Sequence, residues 1–196
     1  MNIKRISVLG LLVATPLMAA DAPSFDCSKL GSNPHQSEKL VCEDAGLAAL
    51  DRKLAEVFSA AAAKAANEHP PSLKAEQRGW IKGRDECWKA DDARACVEQS
   101  YQQRIAELQA RYRLLEPRGP FVWNCGKDGE LVVSFFDTEP PSLIAERGDS
   151  VSLMFIERSG SGAKYQGRNE SFWEHQGEAT VSWGYGSEPF RCTLSR

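Results

Sequence analysis

Histidine is scarce in this chain: His35, His69 and His175 are the only three among 196 residues, and none sits in a pattern with a mechanism. There is no His-Glu-x-x-His helix and no Gly-x-Ser-x-Gly elbow, which removes two common hydrolase signatures. Gly160-Ser161-Gly162 lacks the elbow's length and its strand-to-helix setting. A phosphate loop is also missing, and the net charge of −3 opposes a nucleic-acid role. The six cysteines form no Cys-x-x-Cys pair and no Cys/His cluster, so no metal is expected. The expectation is a protein that is not an enzyme and uses no cofactor. The apolar run at residues 6–17 is too short to span a bilayer.

That run follows Lys4 and Arg5 and precedes Ala19 and Ala20, the three-part layout of a secretory signal over residues 1–20. Removing Lys4 and Arg5 with the signal takes the net charge from −3 to −5. A basic partner would be favoured, although mild acidity is also the ordinary state of a soluble protein. Ser24, Phe25 and Asp26 precede the first cysteine, Cys27, in place of the small and apolar residues of a lipoprotein box. The expected product is therefore periplasmic or secreted, without a membrane anchor. Export puts an even number of cysteines where disulfides persist.

The apolar period changes near Pro117, which divides the mature chain into residues 21–116 and 117–196. Before it the period is helical. Leu47, Leu50, Leu54, Val57, Phe58 and Ala61 recur at steps of three and four in an alanine-rich stretch. Pro70 and Pro71 break that helix, and Ser72 can cap a second, marked by Leu73, Trp80, Ile81, Cys87 and Trp88. A third stripe runs through Val97, Tyr101, Ile105, Leu108, Tyr112 and Leu115. Three helices in so few residues make a small core, which disulfides would supplement.

After Pro117, two-residue alternation takes over at Leu131, Val133 and Phe135 and at Val151, Leu153 and Phe155, with short runs near Thr180 and Phe190. An antiparallel barrel or sandwich is expected, so the fold class is two-domain, all-α followed by all-β. Cys125 opens this half and Cys192 closes it, and a bond between them would join the first and last strands. Cys27, Cys42, Cys87 and Cys96 allow three connectivities, among which sequence does not choose. The local pairing Cys27 with Cys42 and Cys87 with Cys96 is the preferred expectation. The linker at residues 114–120 is short and holds Pro117 and Pro120, which limits separation of the halves. Trp123 and Trp173 are expected to pack in or around the barrel.

Two resemblances rest on these residues. Asp26-Cys27, Glu38, Val41-Cys42, Leu50-Asp51, Gln77-x-x-Trp80, Arg84-Asp85-x-Cys87, Cys96, Tyr101 and Arg104 together resemble the LprI N-terminal family. Phe121-Val122-Trp123-Asn124-Cys125, the stretch Ser159-Gly160-Ser161-Gly162-Ala163-Lys164-Tyr165, Phe172-Trp173, Gly177-Glu178-Ala179 and Cys192 resemble the MliC-type inhibitors of c-type lysozyme. The second resemblance implies a closed barrel of eight antiparallel strands and c-type lysozyme as the protein partner.

It also implies a site. In that family a serine of the Ser-Gly-x-x-Tyr motif enters the lysozyme cleft, and Ser161 is the matching position. A lysine usually accompanies it on a second loop; here that segment is Glu174-His175-Gln176-Gly177, and His175 falls at the lysine's place by count. Lysozyme works with a protonated acid and an ionised carboxylate at the bottom of a saccharide groove. A hydroxyl flanked by Gly160 and Gly162 suits deep insertion, donating to one carboxyl oxygen and accepting from the other. Lys164 can offer an ammonium, Tyr165 supports the loop from the barrel side, and Gln176 lies beside His175 on the second loop. Histidine ordinarily titrates near 6.5, so inhibition that uses a cationic His175 would strengthen as pH falls toward about 6. The competing expectation is an envelope-binding module for peptidoglycan or another surface protein.

Overall fold

The computed structural model describes residues 22–67 and 71–195. The signal expected at residues 1–20 lies outside them. Among the described residues no helix is long and apolar enough to cross a membrane.

The helical half holds α1 (Gln36–Glu43), α2 (Ala45–Lys64), α3 (Leu73–Asp85) and α4 (Ala93–Arg111). Among the described residues four α-helices stand where apolar periodicity suggested three. The additional break is made by Asp44, whose extended backbone (φ −113°, ψ 115°) ends α1. Its carboxylate accepts from the Leu47 N–H at 2.9 Å and caps α2. Cys42 therefore lies in the last turn of α1, ahead of the stripe that begins at Leu47. α2 turns Leu47, Leu54, Val57 and Ala61 into the core, against Val97, Tyr101, Ile105 and Leu108 of α4. Cys27 is bonded to Cys42 and Cys87 to Cys96, across separations of 15 and 9 residues. Loops of that size contribute roughly 3 kcal/mol each by restricting the unfolded chain.

The second half runs β1 (Arg118–Asn124), β2 (Glu130–Phe136), β3 (Ser142–Arg147), β4 (Ser150–Glu157), β5 (Ala163–Gln166), β6 (Glu170–His175), β7 (Glu178–Trp183) and β8 (Phe190–Leu194). Every strand is antiparallel to its sequence neighbours, and β1 pairs with β8 to close the barrel. The expected order, helices and then an eight-stranded antiparallel barrel, is the one observed. Closure leaves no open edge. At the β1–β8 seam the register pairs are Trp123 with Leu194 and Asn124 with Thr193. The Cys125–Cys192 bond sits beside them and closes a separation of 67 residues, worth on the order of 4 kcal/mol. Trp123, Leu131, Val133, Leu143, Met154, Phe172 and Val181 fill the interior.

The alternation in β4 has the opposite phase to that of β2. Ser152 and Met154 face inward and are buried, whereas Val151, Leu153 and Phe155 lie on the outer face. Two of these outer residues meet the helical half: Leu153 packs on a cluster of Ala110, Phe136 and Ile144, and Phe155 lines a trough against α4. The small side chain of Ala110 lets α4 lie close to β2 and β3. Residues 142–145 of β3 are consequently buried on both faces, as in a strand covered from two sides. Lys64 Nζ donates to the Arg113 carbonyl at 2.6 Å, and Tyr112 and Leu114 pack on the helical core, so the linker is held down where it leaves α4.

Candidate functional site

The Ser161 loop joins β4 to β5, and the His175 turn joins β6 to β7. Register brings them together. Ala163 pairs with Glu174 and Lys164 with Trp173, so the residue before β5, Gly162, comes to lie beside His175. Gly162 has φ +66°, and a Cβ there would run into the Glu174 carbonyl oxygen. Only glycine permits this approach. Ser159 Oγ donates to the Ser161 carbonyl at 3.0 Å and to the Gly162 carbonyl at 2.8 Å. The indole Nε1–H of Trp173 donates to the Ser161 carbonyl at 2.9 Å. With its backbone fastened on two sides, the Ser161 side chain is left exposed.

The second loop is a two-residue hairpin. His175 pairs with Glu178, and the residues between them, Gln176 (φ 55°) and Gly177 (φ 82°), are both left-handed, as a type I′ turn requires. Glutamine is an uncommon occupant of such a position. The Gly177 N–H is held by Glu174 Oε1 at 3.2 Å, and the Gly177 carbonyl accepts from the Leu194 N–H at 3.0 Å. His175 and Gln176 are exposed at its tip. Ser161, Trp173, His175, Glu178, Thr180 and Arg191 line one cavity of about 260 Å³ on the outside of the barrel.

The other two residues assigned to the site stand elsewhere. Lys164 Nζ is paired with Glu157 Oε2 at 2.9 Å across β4 and β5, a half-exposed pair on the outer face. Tyr165 points into the barrel, 6 % exposed, with its ring edge-on to Phe135 at 5.6 Å. Burial raises its pKa, and it keeps its proton. It faces the barrel interior and is not presented to a partner. Trp173, expected among the packing aromatics, is 43 % exposed and clamps the Ser161 loop. Alternation contained that signal: with Phe172 fully buried, its neighbour must face out. Trp123 does lie in the core, edge-on to Phe172 at 5.2 Å.

In the helical half the signature residues build a buried polar chain. Asp51 Oδ1 accepts from the Tyr101 hydroxyl at 2.9 Å, that hydroxyl accepts from Arg84 Nη1 at 2.8 Å, and Arg84 Nη2 donates to Asp85 Oδ1 at 2.8 Å. Ser24 closes one end on Asp51 Oδ2 and Ser37 the other on Asp85 Oδ1, each at 2.5 Å. Burial raises the Tyr101 pKa well above the ordinary tyrosine value, with Asp51 adding to it. Burial works against the charge on Arg84, but Tyr101 and Asp85 more than offset this and raise its pKa. Trp80 lies edge-on to Tyr101 at 5.1 Å and under the Arg84 guanidinium at 5.4 Å.

These arrangements coincide with known sequence families. Residues 27–108 match the family model described as lysozyme inhibitor LprI, and residues 123–189 match membrane-bound lysozyme-inhibitor of c-type lysozyme, MliC. Lipoprotein LprI of Mycobacterium tuberculosis is 32 % identical over 183 residues, covering 90 % of this chain and 89 % of the relative. The chain belongs to the LprI family. Lipoprotein LprI of Mycobacterium bovis matches to the same extent. No solved structure matches. The alignment with these LprI proteins runs through both halves.

A cavity of about 750 Å³ is the trough between α4 and the β4–β5 face, and it contains none of the six residues assigned to the site. Most of its charged groups are already engaged, Glu107 with Arg104 and Arg111, and Glu157 with Lys164, while Arg168 stands exposed at its edge. The small cavity beside Ser161 is the better candidate, because a partner can reach an exposed hydroxyl and unpaired polar groups there.

Proposed function

We propose that this chain is an exported inhibitor of c-type lysozyme. It fills the saccharide groove with the loop at residues 159–162, led by Ser161 and flanked by the His175–Gln176 turn. The carrying observation is that both loops form one projection, fixed by Gly162 against β6 and by the Trp173 bond to the Ser161 carbonyl. A hydroxyl held on a fastened backbone costs little ordering entropy on binding, and it can both donate to and accept from a pair of carboxyl groups. Tyr165 and Trp173 act as supports for this loop. Three disulfides agree with export, which the basic and apolar N-terminus would direct. Residues 21–116 and 117–196 are proposed as the two units of the mature chain, with inhibition assigned to the second.

The test is lysis of cell walls by c-type lysozyme in the presence of oxidised residues 21–196, with Ser161→Asp alongside. Stoichiometric inhibition that the variant loses by about a hundredfold or more is expected, since an added carboxylate meets like charges in the cleft. Inhibition equal in the two proteins would refute the loop assignment. Failure of the correctly oxidised parent would refute the function and favour the envelope-binding alternative.

A further inference from the structure

We infer that Arg191 is the cation this chain sets beside Ser161 to meet a carboxylate of the lysozyme cleft. The inference rests on the function proposed above and assigns a residue that neither the Ser-Gly-x-x-Tyr stretch nor the second loop contains.

The barrel register carries it. Lys164 pairs with Trp173, Trp173 with Thr180, and Thr180 with Arg191, so these four residues form one row across β5 to β8. Ala179, Val181 and Cys192 point inward and are buried, which turns Thr180 and Arg191 outward. Trp173, in the middle of the row, holds the Ser161 carbonyl, so the serine loop folds over the surface that Arg191 borders. Ser161 and Arg191 consequently line the same cavity of about 260 Å³.

The two basic ends of the row differ in availability. Lys164 is bound to Glu157 at 2.9 Å. Arg191 is exposed and, among the described residues, has no ion-pair or hydrogen-bond partner. Its backbone is rigid, because the next residue, Cys192, is bonded to Cys125. A guanidinium presents a planar fork that matches a carboxylate with two parallel bonds, which a lone ammonium or imidazole cannot do. Glu178 lines the same cavity, but it belongs to the next row, where it pairs with His175 and Thr193. A carboxylate that enters beside Ser161 is drawn toward Arg191 and away from Glu178, which sets the direction of approach.

The experiment measures the affinity of oxidised residues 21–196 and of Arg191→Ala, Arg191→Lys and Arg191→Glu for c-type lysozyme. A lysozyme whose ionised catalytic aspartate is replaced by asparagine serves as the second target. Circular dichroism melting checks that each variant is folded. Arg191→Ala is expected to weaken binding about 30-fold, Arg191→Glu by more, and Arg191→Lys by only about threefold. Against the asparagine lysozyme the loss from Arg191→Ala should shrink to about twofold. If the parent inhibits and Ser161→Asp does not, while Arg191→Ala binds like the parent, this inference falls and the proposed function stands. A loss that is equal against both lysozymes overturns the carboxylate pairing. A parent that does not bind lysozyme overturns both readings together.

Discussion

In the helical half the polar signature turns inward; in the barrel it turns outward. Asp51 and Arg84 are each 7 % exposed and Tyr101 is fully buried, and together with Ser24, Ser37 and Asp85 they satisfy one another's hydrogen bonds. Ser161 and His175 are exposed, and only the backbone around the serine is fastened. One chain thus uses recurrent polar residues for two purposes. A small helical core gains a fixed arrangement from an inner polar chain, whereas a closed barrel already has its arrangement from register and can spend residues on a partner. Residues that recur in a pattern therefore say nothing about function until their direction is known.

The strongest way to break the comparison is Arg84→Ala, which strips Tyr101 and Asp85 of their cation inside the helical core. Removing one member of a buried pair costs about 3 kcal/mol. Unfolding in urea should show the helical transition shifted by that amount, with lysozyme inhibition by the folded fraction unchanged. A loss of inhibition without loss of stability would move the site to the helical half.

A smaller effect is expected from Gly162→Ala in the barrel. The new methyl group must displace the β6 backbone at a left-handed position, a strain of about 2 kcal/mol, so affinity for lysozyme should fall roughly 30-fold. The melting of the helical half should not change. Parent-like affinity would mean that the loop's position against His175 is irrelevant to binding.

The smallest effect sharpens the outer row. Lys164→Ala removes a half-exposed pair with Glu157, for which about 0.5 kcal/mol is the scale. Affinity should stay within about twofold of the parent at ordinary salt. A tenfold loss would show that Lys164 leaves Glu157 and takes the role assigned here to Arg191.

Much of the architecture was legible because it depends on local periodicity. Steps of three and four marked α2 and α4, and two-residue alternation marked the strands. The break at Asp44 was missed because an acid just before an apolar helical pattern can equally be a solvated side chain; its capping role appears only when the backbone turns out of the helix. The side taken by Trp173 was left open for a related reason, since an aromatic residue in a strand suits either face until the burial of Phe172 settles the phase. Ser161, Gly162 and the His175 turn were found through resemblance to a family. Lys164 and Tyr165 follow that serine in the matching stretch, and alternation along β5 turns Lys164 outward to Glu157 and Tyr165 into the barrel.

Sequence alone determined the order of a helical half and a β half, because periods act over a few positions, and its resemblance to a family marked the two loops. Tertiary structure decided what those residues face. The apolar run of β4 points outward because α4 covers that side, Lys164 is paired because Glu157 lies opposite it, and Arg191 comes to the serine loop's cavity across three strand pairings that no spacing along the chain records. These are contacts between distant positions, set by the closure of the barrel and the docking of the helices, and they exist only once the chain is folded.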